Sequence, residues 1–105
     1  MESDKRFQEL INQINGKWDL IIVNMLKTGE FHFNELLKNI NGITPKALSD
    51  SLKKLLAHGI IQKDIKNINP VNIVYKLTEK GNALINPINS LVNWQIQCDK
   101  KDEII

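Results

Sequence analysis

The side chains best suited to binding chemistry lie in residues 44–59, TPKALSDSLKKLLAHG. At helical spacing, one face of this stretch carries two lysines, a serine and an aspartate. Lysine and serine side chains bond to phosphate oxygens and to base edges, so this face predicts contact with the major groove of a nucleic acid. The alternative is an ordinary solvated helix face. The residues concerned are Thr44, Lys46, Ser49, Asp50 and Lys53.

The same stretch contains the signals that begin and end a helix. The Thr44 hydroxyl can accept a hydrogen bond from an unpaired amide of the first turn, and Pro45 suits the first helical position. Gly59 can adopt the left-handed conformation that ends a helix. The opposite face is apolar and predicts burial; its residues are Leu48, Leu52, Leu55 and Leu56.

The composition fits one globular domain. The 105 residues are 42% hydrophobic and 25% charged, which is enough for a single core. The histidines and the single cysteine lie far apart, and no phosphate-binding glycine loop or metal-spaced cluster occurs, so we expect no enzyme, no cofactor and no metal site. Without a signal peptide or a membrane-spanning run, we expect a cytoplasmic protein with no membrane partner. The net charge is only +2, but lysines are concentrated in residues 32–66.

Apolar spacing predicts that helices precede this stretch. An N-terminal helix over residues 5–15 and a second helix beginning near Trp18 are both expected to pack in the core. Residues 31–33 suggest one rung of strand, and Asn34 is a good cap for a helix of about two turns that ends before Gly42. A short helix, a tight turn and the 44–58 helix then follow in helix-turn-helix order.

Alternating patterns after Gly59 predict a β-hairpin. Residues 61–66 and 72–77 alternate as strands, and residues 67–71 suit a turn. The fold class is therefore mainly α with a small antiparallel β-hairpin, a winged helix-turn-helix with its core over residues 17–77. Candidate phosphate or minor-groove contacts, against the alternative of edge-strand protection for the wing lysines, are His32, Asn34, Lys38, Lys63, Lys66, Asn67 and Asn69.

A last helix is predicted over residues 78–98, kinked at Pro87 and followed by a frayed tail over 99–105. Its apolar arc is wider than one core requires, which predicts a homodimer formed through the terminal helices. The alternative is a groove filled by the N-terminal helix of the same chain. A disulfide between subunits at Cys98 is less favoured than a buried or incidental thiol. The predicted interface comprises Phe7, Leu10, Ile11, Pro87, Leu91, Trp94 and Cys98.

Together these segments resemble the HxlR family of winged helix-turn-helix transcription regulators. The matching pieces are GKW at 16–18, HFNEL at 32–36, GITPKALSDSLKKL at 42–55, HGII at 58–61, VYKLTEKG at 74–81, and Trp94. The resemblance implies a bacterial homodimer that binds a pseudo-palindromic operator on double-stranded DNA, as repressor or activator.

Two departures limit what the resemblance implies. His32 stands where the family usually has arginine, and no cysteine precedes the GKW segment, so the family's cysteine-based sensing is not carried over. A small-molecule effector, the inducing signal and the operator sequence stay open. The alternative function is a winged-helix module that binds a protein rather than specific DNA.

Overall fold

The computed structural model describes the backbone of residues 1–104 and the side chains of residues 1–101. It confirms a mainly helical chain with one two-stranded antiparallel sheet. In chain order the elements are α1 (Glu2–Gln13), α2 (Asp19–Leu26), α3 (Phe33–Asn39), α4 (Pro45–Ala57), β1 (Ile61–Ile68), β2 (Val71–Leu77), α5 (Glu79–Asn82) and α6 (Ile85–Ile104).

The core lies between α2, α3, α4 and the base of the hairpin. Each of the three helices packs one apolar side into this core. Ile61 at the start of β1 and Leu77 at the end of β2 complete it. Its most buried members are Ile22, Val23, Leu26, Leu36, Leu48, Leu52, Leu55, Ile60 and Ile61. The predicted apolar side of α4 is thus confirmed, with Leu56 only half-buried.

The α4 helix has defined ends, as the sequence predicts. The Thr44 hydroxyl accepts a hydrogen bond from the backbone amide three residues later, at 3.1 Å. At the other end Gly59 has φ +70°, and the Ile60 amide bonds to the Leu55 carbonyl at 3.0 Å. The Gly59 amide bonds to the Leu56 carbonyl at 3.1 Å, which completes a Schellman motif. The helix direction is therefore fixed at both termini.

The hairpin is longer than predicted. Its strands extend into the expected turn, which shrinks to Asn69 and Pro70. Phe31 pairs with Tyr75 on the free edge of β2, which confirms the single rung of strand predicted there. Ile65 is 63% exposed although the alternation places it with buried Ile61, because the distal half of the hairpin extends past the core.

Helix α3 begins earlier than predicted. His32, not Asn34, is its N-cap, and the Glu35 carboxylate accepts from the His32 backbone amide at 2.8 Å in a capping box. The first helix also differs: α1 ends at Gln13 and contains no buried residue, so its predicted place in the core is wrong. Trp18 lies at the N-cap of α2 rather than inside it.

The predicted single C-terminal helix is divided. Thr78 caps the short α5, and the chain then turns at residues 83–84 before α6 begins. Pro87 falls in the first turn of α6, where its missing amide hydrogen costs nothing, so no kink forms. The helix continues to Ile104, beyond the predicted end at residue 98, and the last residue of the predicted frayed tail, 105, lies outside the described residues. No described helix is both long and apolar enough to cross a bilayer.

Candidate nucleic-acid interface

The side of α4 opposite the core is open to solvent. Lys46, Asp50 and Lys53 are exposed and Ser49 is half-buried, while the exposed Thr44 stands at the start of the helix. Lys46 Nζ lies 3.0 Å from Asp50 Oδ2 in an exposed ion pair. Among the described residues Lys53 forms no ion pair. The five predicted residues therefore occupy one accessible side of α4, with one lysine charge compensated locally.

The hairpin holds the predicted wing residues, with Lys63 near its base and the other three toward its tip. Lys63, Asn67 and Asn69 are exposed, and Lys66 lies at the irregularity in strand register. Lys66 Nζ is 3.4 Å from Glu30 Oε2, so this lysine also has a local counter-charge. The hydrogen bonds and ion pairs of the described side chains do not connect the wing lysines to the exposed side of α4.

Acidic groups shape the charge of the hairpin as well. Hydrogen bonds from Gln62, at 3.1 Å, and from Lys76, at 3.1 Å, hold the pKa of Asp64 below its ordinary value, against the opposing effect of desolvation. Asp64 is therefore ionised across the neutral range and offsets Lys76. Within the 32–66 segment, Lys54 and Lys66 pair with carboxylates from outside it, Asp19 and Glu30, so the local cationic excess is smaller than the sequence count of that segment indicates.

His32 has a structural role that the sequence analysis missed. Its Nδ1 lies 2.6 Å from Glu35 Oε1, and its Nε2 contacts Asn72 Oδ1 on β2. The imidazole therefore joins the start of α3 to the hairpin, with a carboxylate beside it that would repel phosphate. We do not retain His32 as a phosphate contact. Asn34 and Lys38 are exposed on α3 and remain candidates.

A buried acidic residue anchors one edge of α4, next to the predicted contact Asp50. Asp19 is 1% exposed, and its carboxylate accepts from the Ser51 hydroxyl at 2.5 Å and from the Gly16 amide at 2.8 Å. Lys54 Nζ lies 2.5 Å from the same carboxylate and donates to Asn15 Oδ1 at 2.7 Å. This network ties the turn before α2 to α4. It also removes Lys54 from the set of lysines available to a partner.

The sequence carried a weak signal for this anchor. Ser51 and Lys54 are one helical turn apart, on the edge of the apolar face of α4, and Asp19 opens α2. An acidic residue in the first turn of a helix is common for a simpler reason, its attraction to the helix dipole. From the sequence alone, a buried Asp19 could therefore not be distinguished from a solvent-exposed one.

Exposed apolar side chains also lie along α1 and along α6. Phe7 is 61%, Leu91 56% and Trp94 62% exposed, and along α6 only Ile88, near its start, is buried among the described side chains. The remaining predicted interface residues are exposed or, for Cys98, half-buried: Leu10, Ile11, Pro87 and Cys98. Because Leu91 and Trp94 stay exposed, α1 of the same chain does not fill the groove along α6.

The outline of the protomer reflects these helices. Its radius of gyration is 16.0 Å, and its principal extents are 58 × 37 × 23 Å. A compact domain of this length would have a radius of gyration of about 13 Å. The terminal helices thus extend away from the core and expose apolar surface.

Comparison with known proteins gives a family match over most of the chain. Residues 13–103 match the model of the HxlR-like helix-turn-helix family. A protein of Methanothermobacter thermautotrophicus, named as an uncharacterized HTH-type transcriptional regulator, is 33% identical over 84 residues, which cover 80% of this chain and 64% of that protein. The HTH-type transcriptional regulator YodB of Bacillus subtilis is 28% identical over 100 residues, covering 94% and 89% of the two chains.

Solved structures agree with this match. A transcriptional regulator of the MarR family from Enterococcus faecalis V583 superposes with a TM-score of 0.86 at 28% identity, over 97% of this chain and 93% of that one. The reduced form of YodB gives a TM-score of 0.79 at 28% identity, over 88% and 90% of the two chains. The winged-helix architecture is therefore shared with regulators of known structure.

Proposed function

The chain belongs to the HxlR-like helix-turn-helix family, and from that premise we propose that it is a homodimeric transcription regulator that binds a specific, pseudo-palindromic operator. In this proposal α4 enters the major groove and the hairpin contacts the adjacent backbone or minor groove. The observation that carries the proposal is the division of α4 into a buried leucine side and an exposed side bearing Lys46 and Lys53.

The exposed side of α4 has suitable chemistry for base and phosphate contacts. Lys53 has no local counter-charge among the described residues, and its ammonium group can reach a phosphate or guanine acceptors. Lys46 would exchange Asp50 for DNA, and the freed carboxylate could accept from a cytosine amine. Exposed ion pairs are weak, about 0–1 kcal/mol, so this exchange costs little.

The dimer is proposed from the unpartnered apolar side of α1 and α6. Regulators that read palindromic sites use two copies of one reading helix, which requires a two-fold interface. Phe7, Leu91 and Trp94 supply the aromatic and aliphatic surface that such an interface buries. Each protomer would contribute the same patch.

The test is selection of genomic DNA fragments by the purified protein, followed by titration of a selected fragment at several salt concentrations. We expect saturable binding that weakens steeply with salt, because bound lysines release counterions from the phosphates. Lys46→Ala combined with Lys53→Ala should weaken binding by about 30-fold or more, at roughly 1–3 kcal/mol for each contact.

The matched control removes two exposed lysines elsewhere, Lys27 and Lys100, by the same substitution. This control should keep nearly all affinity, and both double variants should unfold within about 5 °C of the wild-type temperature. Equal affinity of the two double variants would contradict the assignment of α4 as the reading helix. Failure to select any fragment, together with capture of a defined protein, would favour the alternative of a protein-binding module.

A further inference from the structure

An apolar cavity lies where α1, the end of α4 and the α5–α6 connection meet. Its volume is about 220 Å³. Leu10 and Ile14 line it from α1, Ala83 and Leu84 from the connection, and Ile60 from the core. A cavity of about 150 Å³ in a protein interior holds benzene, so this one can hold a somewhat larger apolar group.

One cation stands at this cavity without a carboxylate partner. Lys80 lines it, and its Nζ donates to Gln13 Oε1 at 2.5 Å and to the His58 carbonyl at 2.8 Å. Both acceptors are neutral, and Lys80 forms no ion pair within the described part of the chain. An ammonium group beside apolar walls is better matched by a carboxylate than by an amide, because charge-assisted hydrogen bonds are the stronger ones.

From this arrangement we propose that the cavity is a binding site for a small apolar monocarboxylate. The hydrocarbon part lies among the aliphatic side chains, and the carboxylate binds Lys80 in place of Gln13. The aliphatic walls favour a short alkyl chain, and hexanoate is a probe of suitable size. This step needs no DNA and does not depend on the proposed function.

The position of the cavity gives the ligand a route to regulation, and this part rests on the proposed function. Lys80 holds the carbonyl of His58, the residue that ends the reading helix α4, and Gln13, the last residue of α1. A carboxylate that draws Lys80 away loosens both contacts at once. Hexanoate should therefore lower operator affinity, and by linkage the operator should lower hexanoate affinity by the same factor.

The first experiment measures hexanoate binding to the free protein by calorimetry, with hexanamide as the neutral analogue of the same shape. We expect saturable binding in the millimolar range. Hexanamide should bind about three- to fivefold more weakly, because Lys80 is exposed and an exposed ion pair contributes at most about 1 kcal/mol. Lys80→Met should lose this discrimination, since it keeps the apolar stem without the charge, while Lys100→Met should behave as wild type. Ala83→Leu, which fills the cavity, should weaken both probes.

Defined results would overturn the site. They are absence of saturable hexanoate binding up to about 10 mM by folded protein, equal affinity for the two probes, or unchanged affinity in Lys80→Met.

The second experiment repeats the DNA titration with saturating hexanoate, where we expect DNA affinity to fall about fivefold or more. Unchanged DNA affinity would overturn the regulatory route. Hexanoate binding by a protein that selects no DNA would support the site and contradict the proposed function.

Discussion

Replacing Lys54 by methionine tests whether the buried anchor stabilises the fold. Lys54 and Lys46 lie on the same helix and each pairs with an aspartate, but Asp19 is 1% exposed and the Asp50 side chain is 60% exposed. Breaking a buried pair costs about 3–5 kcal/mol, because the remaining charge stays desolvated. Since the Lys54 side chain is 29% exposed, we expect the lower end, about 3 kcal/mol.

The matched variant Lys46→Met should cost less than about 1 kcal/mol, as exposed pairs do. At about 0.2 kcal/mol per degree for a domain of this size, Lys54→Met should lower the melting temperature by about 15 °C and Lys46→Met by less than about 5 °C. Thermal unfolding followed by circular dichroism measures both, at one protomer concentration because dimerisation would shift the midpoint.

A double-mutant cycle locates the effect. In an Asp19→Asn background the buried negative charge is absent. Adding Lys54→Met there should lower the free energy of unfolding much less than it does in wild type. If Lys54→Met and Lys46→Met lower stability equally, or if the cost of Lys54→Met is unchanged beside Asn, the reasoning about the buried carboxylate is refuted.

Three further outcomes are expected. Gly81→Ala should cost about 3 kcal/mol or more, measured by denaturant unfolding, because an added Cβ would lie 2.1 Å from the Ile60 carbonyl oxygen; a loss below about 1 kcal/mol would contradict this. The lowered pKa of Asp64 stabilises the fold above the ordinary value of 3.8, and this stabilisation is lost as the pH falls below that value. Between pH 5 and about 3 the free energy of unfolding of wild type should therefore fall more than that of Asp64→Asn. An equal fall in both proteins would contradict this. Trp94→Glu should convert the proposed dimer to monomer in sedimentation equilibrium, and an unchanged mass would reject that interface.

The sequence was sufficient wherever a local signal and a tertiary requirement agreed. At α4 the cap, the proline, the leucine spacing and Gly59 all indicate the same helix, and the bounds follow within a residue or two. The strands were likewise evident from alternation, although the hairpin extends further than its buried part. Caps, turn residues and apolar spacing can be identified from neighbouring residues alone, and here the tertiary packing agrees with them.

The errors arose where one local signal fits two structures. Pro87 suits the first turn of a new helix as well as a kink, and periodicity across residues 83–84 concealed the break between α5 and α6. His32 is an uncommon cap, which the preference for Asn34 obscured. The role of Asp19 depends on partners more than thirty positions away, at Ser51 and Lys54, and no spacing rule relates them.

The elongated outline of the protomer has a practical consequence for studying it in solution. A particle with a long axis of 58 Å and a short axis of 23 Å experiences more friction than a sphere of equal mass. A single copy will therefore leave a gel-filtration column early, at the volume of a heavier globular standard. Elution volume alone would make a monomer look like a pair, so subunit number has to come from a method that weighs the particle independently of its shape.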